Sequence, residues 1–127
     1  MILSSEIKQK LKVLIVDDSS LVISRLHRIL LNSENIARIS DAHDFEEGKL
    51  LFDLESPDVV LLDIHLPGKS GLDLLRYIRR KYIQPKIIVI SNETGDFYRE
   101  RCLAMGVDFF IDKTHELPSF IKLIPSF

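Results

Sequence analysis

Five short apolar runs, each followed by a stretch of helical periodicity, dominate the pattern of the chain. The runs cover residues 12–16, 36–40, 59–62, 86–90 and 107–111, and the second is the weakest. Nearly continuous apolar runs of this length are typical of strands buried on both faces of a sheet. Residues that cap or break helices, such as Ser19, Pro57, Pro85 and Gly106, bound the intervening segments. This alternation predicts an α/β fold, with a doubly wound five-stranded parallel sheet and helices on both faces.

The same pattern fills most of the chain and predicts one domain. We assign residues 12–125 to it and interpret residues 1–11, which have no clear period, as an N-terminal extension. A length of 127 residues is ordinary for a single domain with its own core. The last predicted helix, which begins near Pro118, is short. We therefore expect a stand-alone domain with no second domain after it.

Composition narrows the classes of function. Apolar residues make up 46% and charged residues 28% of the chain, which is typical of a globular protein. A formal net charge of −2 lacks the basic excess expected of a direct nucleic-acid binder. No apolar run is long enough for membrane insertion, and the first residues do not resemble a secretory signal. Cys102 is the single cysteine, so we predict a cytoplasmic protein in which this thiol is a buried apolar group.

Polar residues with matching chemistry follow four of the predicted strands. Asp17 and Asp18 follow the first, Asp63 the third, Ser91 the fourth and Lys113 the fifth. The carboxyl ends of the strands in such a sheet share one edge, so we expect these side chains to meet there. Clustered carboxylates repel each other unless cations join them, and oxygen ligands favour Mg²⁺ or Mn²⁺. Carboxylates, one lysine and one hydroxyl suit a phosphoryl group better than a metal alone.

These strand-end residues, in this order, resemble the receiver domain of two-component response regulators. The loop from Asp63 to Gly71 is similar to the family's Asp-x-x-Met-Pro-x-x-x-Gly stretch, with Leu66 in place of the frequent Met. Phe110, three residues before Lys113, falls where the family keeps its switch aromatic. The resemblance covers essentially the whole predicted domain. It implies a flavodoxin-like sheet with the strand order 2-1-3-4-5.

The resemblance also implies a mechanism for phosphorylation. Asp63 would accept a phosphoryl group from the phosphohistidine of a sensor histidine kinase or of a histidine phosphotransfer protein. Asp18 and Asp63, with Asp17 nearby or through water, and the backbone carbonyl of His65 would hold Mg²⁺. Lys113 would neutralise charge on the phosphoryl oxygens. The protein would thus be a signalling switch rather than an enzyme acting on a separate metabolite.

The resemblance further implies a switch that reaches the surface. The Ser91 hydroxyl would donate a hydrogen bond to the phosphoryl group, and Phe110 would fill the space vacated by the loop. The surface around the fourth helix would then change and bind a downstream protein, with Tyr98, Arg99 and Arg101 as candidate contacts. The chain would be a monomer or a weak homodimer.

Two residues depart from the family pattern. Thr114 follows Lys113 where many relatives have Pro, so the loop into the last helix is expected to run differently. His65 lies two residues after Asp63, at a position that varies in the family and is thought to affect phosphoryl lifetime. We expect no loss of activity from either.

Simpler interpretations of single residues stay open. Asp17 and Asp18 can cap a helix, Ser91 can form a turn, and Phe110 can be a core aromatic. Glu93 is expected to be solvated. A basic run in the third helix, comprising Arg76, Arg79, Arg80 and Lys81, is interpreted as a solvated face.

Three other functions compete with the switch. An aspartyl-phosphate phosphohydrolase generally places its nucleophile on the first strand, with a second Asp two residues on, whereas Asp17 and Asp18 are adjacent. A flavodoxin-type module would need uncharged phosphate-binding donors in the first loop, which is acidic here. A degenerate receiver that acts only through protein interactions would be expected to lack part of the site, which is complete in this sequence.

Overall fold

The computed structural model describes residues 10–92 and 95–127. The predicted N-terminal extension therefore lies almost entirely outside the described residues and stays a prediction. The first strand begins at Leu11, one residue earlier than the apolar run suggested. No helix in the described ranges has the length and apolar character needed to cross a bilayer.

Strands and helices alternate as predicted. The strands are β1 (Leu11–Val16), β2 (Ile36–Ala42), β3 (Val59–Asp63), β4 (Lys86–Ser91) and β5 (Phe109–Asp112). The helices are α1 (Ser20–Leu30), α2 (Phe45–Glu55), α3 (Gly71–Lys81), α4 (Asp96–Ala104) and α5 (Leu117–Phe120), followed by a 3₁₀ helix (Ile121–Ser126).

The sheet is parallel throughout, with the order β2-β1-β3-β4-β5, which confirms the predicted fold. In the register of the central strands, Val16 pairs with Leu62 and Asp63 pairs with Ile90. Ser91 pairs with Asp112 at the same end of the sheet. The strands therefore finish at one level, which brings the residues that follow them to a common edge.

The core has two layers because alternate strand residues face opposite sides of the sheet. Leu14 and Val16 point toward α2, α3 and α4, whereas Val13 and Ile15 point toward α1, α5 and the 3₁₀ helix. All residues of β3 (Val59–Asp63) are buried, as expected for the central strand of a sheet covered on both faces.

Side chains at the helix starts satisfy backbone N–H groups that have no partner within the helix. The Ser19 hydroxyl accepts from Val22 N at 3.3 Å at the start of α1. Asp44 Oδ1 accepts from Glu47 N at 2.9 Å at the start of α2. Because Ser19 also follows the acidic pair, the cap of α1 links the helix directly to the strand end.

The C-terminal segment differs most from the prediction. Instead of one short helix, a single α-helical turn passes into the 3₁₀ helix. Leu117, Ile121 and Ile124 are buried, whereas Phe120 is only half-buried. The fifth strand also starts later than predicted, because Val107 N donates to Cys102 O at 3.2 Å and so belongs to the turn that ends α4.

Candidate functional site

Three carboxylates converge at the carboxyl edge of the sheet. One oxygen from each of Asp17, Asp18 and Asp63 lies within 4.8 Å of the others. Asp17 is fully buried, Asp63 is 5% exposed and Asp18 is exposed. The turn after β1 and the end of β3 therefore create the acidic cluster that the sequence predicts.

Lys113 joins this cluster from the end of β5. Its Nζ lies 2.7 Å from Asp17 Oδ2 and 3.0 Å from Asp63 Oδ2, and its side chain is only 12% exposed. Burial alone would lower the pKa of Lys113, but the two carboxylates outweigh this and the pKa is raised. The ammonium group therefore stays protonated at neutral pH.

Backbone N–H groups orient the two buried carboxylates. Ser19 N donates to Asp17 Oδ1 at 2.8 Å, and His65 N donates to Asp63 Oδ1 at 2.9 Å. Asp63 is thus held through both oxygens, one by the loop that follows it and one by Lys113. Such i to i+2 hydrogen bonds are typical of aspartate in turns.

The formal charges of the cluster do not cancel. Three carboxylates and one ammonium group sum to a formal charge of −2. Burial raises the pKa of Asp17, although Lys113 and the Ser19 N–H oppose this. Hard oxygen donors clustered around a charge deficit match the requirements of a divalent cation such as Mg²⁺. The residues present therefore fit a magnesium ion.

The acidic cluster opens into a solvent-accessible cleft of about 490 Å³. Three residues that were not among the predicted site residues also line this cleft: Arg25, Asn92 and Thr114. The full lining consists of Asp18, Ser19, Val22, Arg25, Asp63, His65, Asn92, Lys113 and Thr114. Arg25, an exposed residue of α1, adds a second cationic group to this lining.

The remaining predicted site residues lie around this centre. Ser91 is fully buried at the end of β4 and is not among the residues that line the cleft. Phe110 is buried in the core layer that faces α4. The His65 ring is exposed and meets the Tyr98 ring edge-on, with 5.7 Å between centroids. Glu93 lies outside the described residues.

Hydrogen bonds to Asp112 hold the loop that follows Lys113. Asp112 Oδ1 accepts from Thr114 N at 2.8 Å and from His115 N at 3.2 Å, and Asp112 N donates to Glu116 Oε1 at 2.9 Å. The His115 side chain, followed by the Thr114 N–H, lowers the pKa of Asp112. Aspartate commonly precedes turns in this way, so Asp112 is the residue in the sequence that signals this loop.

Comparison with known proteins identifies the family. The family model "Response regulator receiver domain" matches residues 13–124. The chain belongs to this family. It is therefore a receiver domain of the kind found in two-component response regulators.

Individual relatives agree with this assignment. Over 117 residues the chain is 26% identical to the transcriptional regulatory protein DegU of Brevibacillus brevis, covering 92% of the chain and 50% of the relative. Over 104 residues it is 36% identical to a protein-glutamate methylesterase/protein-glutamine glutaminase of Bacillus subtilis, covering 81% and 29%. The chain thus spans about half or less of the length of these relatives.

A solved structure supports the fold. The CheY-like response regulator receiver domain protein from Methanospirillum hungatei superimposes with a TM-score of 0.82 and 24% identity. The match covers 94% of this chain and 93% of that protein. The receiver fold is therefore present over nearly the full length of the chain.

Proposed function

We propose that this receiver domain is a phosphorylation-activated switch in which Asp63 is the phosphoacceptor. The observation that supports this most strongly is the position of Asp63. It is a nearly buried carboxylate at the end of the central strand, 3.0 Å from Lys113 and facing a cleft open to solvent. A buried carboxylate needs a cationic partner, and Lys113, which lines the same cleft, supplies one.

The proposed reaction is a phosphoryl transfer from a phosphohistidine. One Asp63 carboxylate oxygen attacks phosphorus, and the bond between phosphorus and the imidazole nitrogen breaks with its electron pair retained by the imidazole. The product is an acyl phosphate on Asp63. Lys113 stabilises the negative charge on the transferred oxygens, and attack by water on phosphorus later restores the carboxylate.

The residues proposed to hold Mg²⁺ are Asp18 and Asp63, with Asp17 nearby or through water, and the backbone carbonyl of His65. When bound, the ion would offset charge on the phosphoryl oxygens during transfer. Mn²⁺ has the same preference for oxygen ligands and is a suitable substitute. Lys113, which pairs with Asp17 and Asp63, provides positive charge from the protein itself.

The proposed switch runs from Ser91 through Phe110 to the surface. In the proposed mechanism the Ser91 hydroxyl donates to the phosphoryl group and Phe110 changes its packing. Arg99 of α4 supports this route, because its guanidinium lies 5.6 Å from the centre of the Phe110 ring and Nη1 donates to Phe110 O at 3.4 Å. A change at Phe110 would therefore alter contacts made by an exposed residue of α4.

The proposed partners are a sensor histidine kinase or a histidine phosphotransfer protein as donor, and a downstream protein as target. Direct binding to nucleic acid and membrane insertion are not part of the proposal. We propose a cytoplasmic switch, monomeric or weakly dimeric, that does not turn over a separate metabolite. The buried free thiol of Cys102 is compatible with a reducing compartment.

The test is chemical phosphorylation followed by intact mass spectrometry. Wild-type protein, incubated with Mg²⁺ and phosphoramidate, is expected to gain one hydroxylamine-labile phosphoryl group. Asp63→Asn should gain none, and Lys113→Ala should be labelled much more slowly. Asp53→Asn is the matched control, because this exposed carboxylate on α2 lies outside the cleft and should leave labelling unchanged.

Three results would contradict the proposal. The first is an Asp63→Asn protein that is labelled as well as the wild type. The second is sustained turnover of p-nitrophenyl phosphate, which would favour a phosphohydrolase. Failure of both wild type and Asp53→Asn to become labelled, despite normal circular dichroism, would favour a degenerate receiver.

A further inference from the structure

A groove between α3 and α4 concentrates positive charge on a chain whose formal net charge is −2. We call this depression of about 400 Å³ the α3–α4 groove. Four arginines and two apolar residues line it: Arg76, Arg79, Arg80, Arg101, Ala104 and Met105. None of them lines the acidic cleft, so the groove is separate from the proposed phosphorylation site.

One of the four arginines has a structural role. Arg79 Nη2 lies 3.0 Å from Asp108 Oδ2, and Arg79 Nε donates to Gly106 O at 2.8 Å. Its side chain is only 13% exposed, so the expectation of a solvated residue is wrong here. Arg79 forms a wall of the groove, and Asp108 offsets its charge.

The other arginines leave their charge available. Within residues 10–92 and 95–127, the guanidinium groups of Arg80 and Arg101 make no hydrogen bond or ion pair. Arg76 Nη1 lies 3.3 Å from Asp73 Oδ1, but both side chains are more than 40% exposed (43% and 41%). Exposed pairs of this kind contribute little energy and exchange readily for another anion.

The positive surface continues on the other side of α3. Arg76 and Arg80 also line a depression toward α2, in which three lysines outnumber the two acidic residues: Lys49, Lys69 and Lys81 against Glu46 and Asp73. The ammonium groups of Lys49 and Lys81 lie 5.0 and 4.5 Å from the centre of the Tyr77 ring. These cation–π contacts restrict both lysine side chains, so their ammonium groups have defined positions on this surface.

Two of the residues that line the groove are apolar. Met105 is half-buried and Ala104 is exposed. Guanidinium groups bind carboxylates in a bidentate manner, and methionine adapts to apolar side chains of different shape. The eleven residues of α3 extend over about 16 Å, the length of an extended segment of about five residues.

We propose that the α3–α4 groove binds a short acidic segment of a partner protein. An apolar side chain of the segment packs on Met105, and flanking carboxylates pair with Arg80, Arg101 and Arg76. The site would provide a partner contact that does not involve the acidic cleft.

The charge distribution favours a peptide over nucleic acid. Nucleic acid offers no aliphatic side chain to the apolar lining residues Ala104 and Met105, and the chain as a whole, with 19 acidic and 17 basic residues, lacks the basic excess of a nucleic-acid binder. A segment of about five residues contacts the groove alone. Nucleic acid and anionic membranes therefore become alternative outcomes of the test.

Fluorescence anisotropy of labelled peptides tests the proposal. The first probe has the sequence Glu-Asp-Leu-Asp-Glu, and the second replaces its Leu by Gln. The double variant Arg80→Ala/Arg101→Ala should bind the first probe at least about tenfold more weakly than the wild type. The matched control, Arg28→Ala/Lys122→Ala, removes the same charge from exposed positions outside the groove and should bind like the wild type.

Further arms separate this proposal from the proposed phosphorylation. Asp63→Asn should bind the first probe normally, because Asp63 does not line the groove. The Gln-containing probe should bind more weakly than the Leu-containing one, because Gln cannot replace the apolar contact with Met105; equal binding of the two probes would overturn the proposed packing on Met105. Circular dichroism of every variant checks that the fold is retained.

Several results would overturn the inference. One is no binding of the first probe by the wild type at about 1 mM peptide. Another is equal loss in the groove variant and the control variant, which would show a non-specific charge effect. Tighter binding of single-stranded DNA, or of phosphatidylglycerol vesicles, than of the peptide would assign the surface to nucleic acid or membrane instead.

Discussion

Replacing Gly71 by Ala is expected to damage both the stability of the domain and the geometry of Asp63. Gly71 is the first residue of α3, and its N–H donates to Ile64 O at 3.0 Å. A methyl group on Gly71 would overlap Asp63 O and would lie 2.7 Å from Ile64 Cα and 2.9 Å from Asp63 C. All three atoms belong to the backbone, so the loop after β3 must move.

The size of the effect follows from opposing contributions. Overpacking against a rigid core costs about 1–3 kcal/mol, and contact with backbone lies at the upper end. Ala also lowers the conformational entropy of the unfolded chain relative to Gly, which stabilises the folded state by about 0.4–1 kcal/mol. The net expectation is a loss of roughly 2 kcal/mol, or about 8 °C in Tm for a domain of this size.

Two other glycines serve as controls in the same thermal and urea unfolding experiments. A methyl group on Gly95 meets no atom within 4 Å, and its φ of −68° is ordinary, so Gly95→Ala should change stability by less than about 0.5 kcal/mol. Gly68 is equally open but has φ +74°, so Gly68→Ala should cost about 1 kcal/mol from backbone strain alone.

Phosphorylation provides a second measurement for Gly71→Ala. The variant should be labelled by phosphoramidate more slowly than wild type, even at a temperature where both are folded, because the displaced atoms include the backbone of Asp63. A Gly71→Ala protein that is as stable and as quickly labelled as Gly95→Ala would show that the close approach of residue 71 to the Asp63 backbone does not constrain the site.

Three further predictions concern the ion, the thiol and a buried arginine. Mg²⁺ at 100 times its Kd should stabilise the wild type by about 2.7 kcal/mol in thermal unfolding, and Asp17→Asn should reduce this gain. Burial raises the pKa of the Cys102 thiol above its ordinary 9.0. The contribution of this thiol to the free energy of unfolding should therefore decrease as the pH rises beyond 9.0. Ellman's reagent should react slowly with the folded protein and faster once urea is added. Arg79→Lys should lose about 1–2 kcal/mol in urea unfolding because lysine cannot bind Asp108 and Gly106 together, whereas Arg80→Lys should be neutral.

The grouping of the residues at the strand ends was predictable, because the strands of a parallel sheet place their carboxyl ends at one edge. Once β1, β3 and β5 are assigned, their carboxyl ends must share an edge, so Asp17, Asp63 and Lys113 must be neighbours. The short distances from Lys113 to the two carboxylates agree with this reasoning. Short, nearly continuous apolar runs and the turn residues between them therefore sufficed for the fold and for the centre of the site.

The surroundings of the site were not predictable in the same way. Arg79 lies in a run of basic residues, and its burial depends on Gly106 and Asp108, which lie 27 and 29 positions further along the chain. Arg25 lines the cleft because of how α1 packs on the sheet, which local periodicity does not specify. Tertiary contacts of this kind override the local preference of a charged residue for solvent.

The acidic cluster opposes stability, and this opposition is part of how the site is proposed to function. Because burial raises the pKa of Asp17 above its ordinary 3.8, folding disfavours its ionised form, and its contribution to stability is greatest below pH 3.8 and decreases as pH rises through the folded-state pKa. Three carboxylates share one ammonium group, since Lys113 pairs with both Asp17 and Asp63. A cation or a phosphoryl group would change that balance at the point where Asp63 ends the central strand. A site with fully balanced charges would respond less to either, so we propose that the residual repulsion among the carboxylates makes the domain responsive to these ligands.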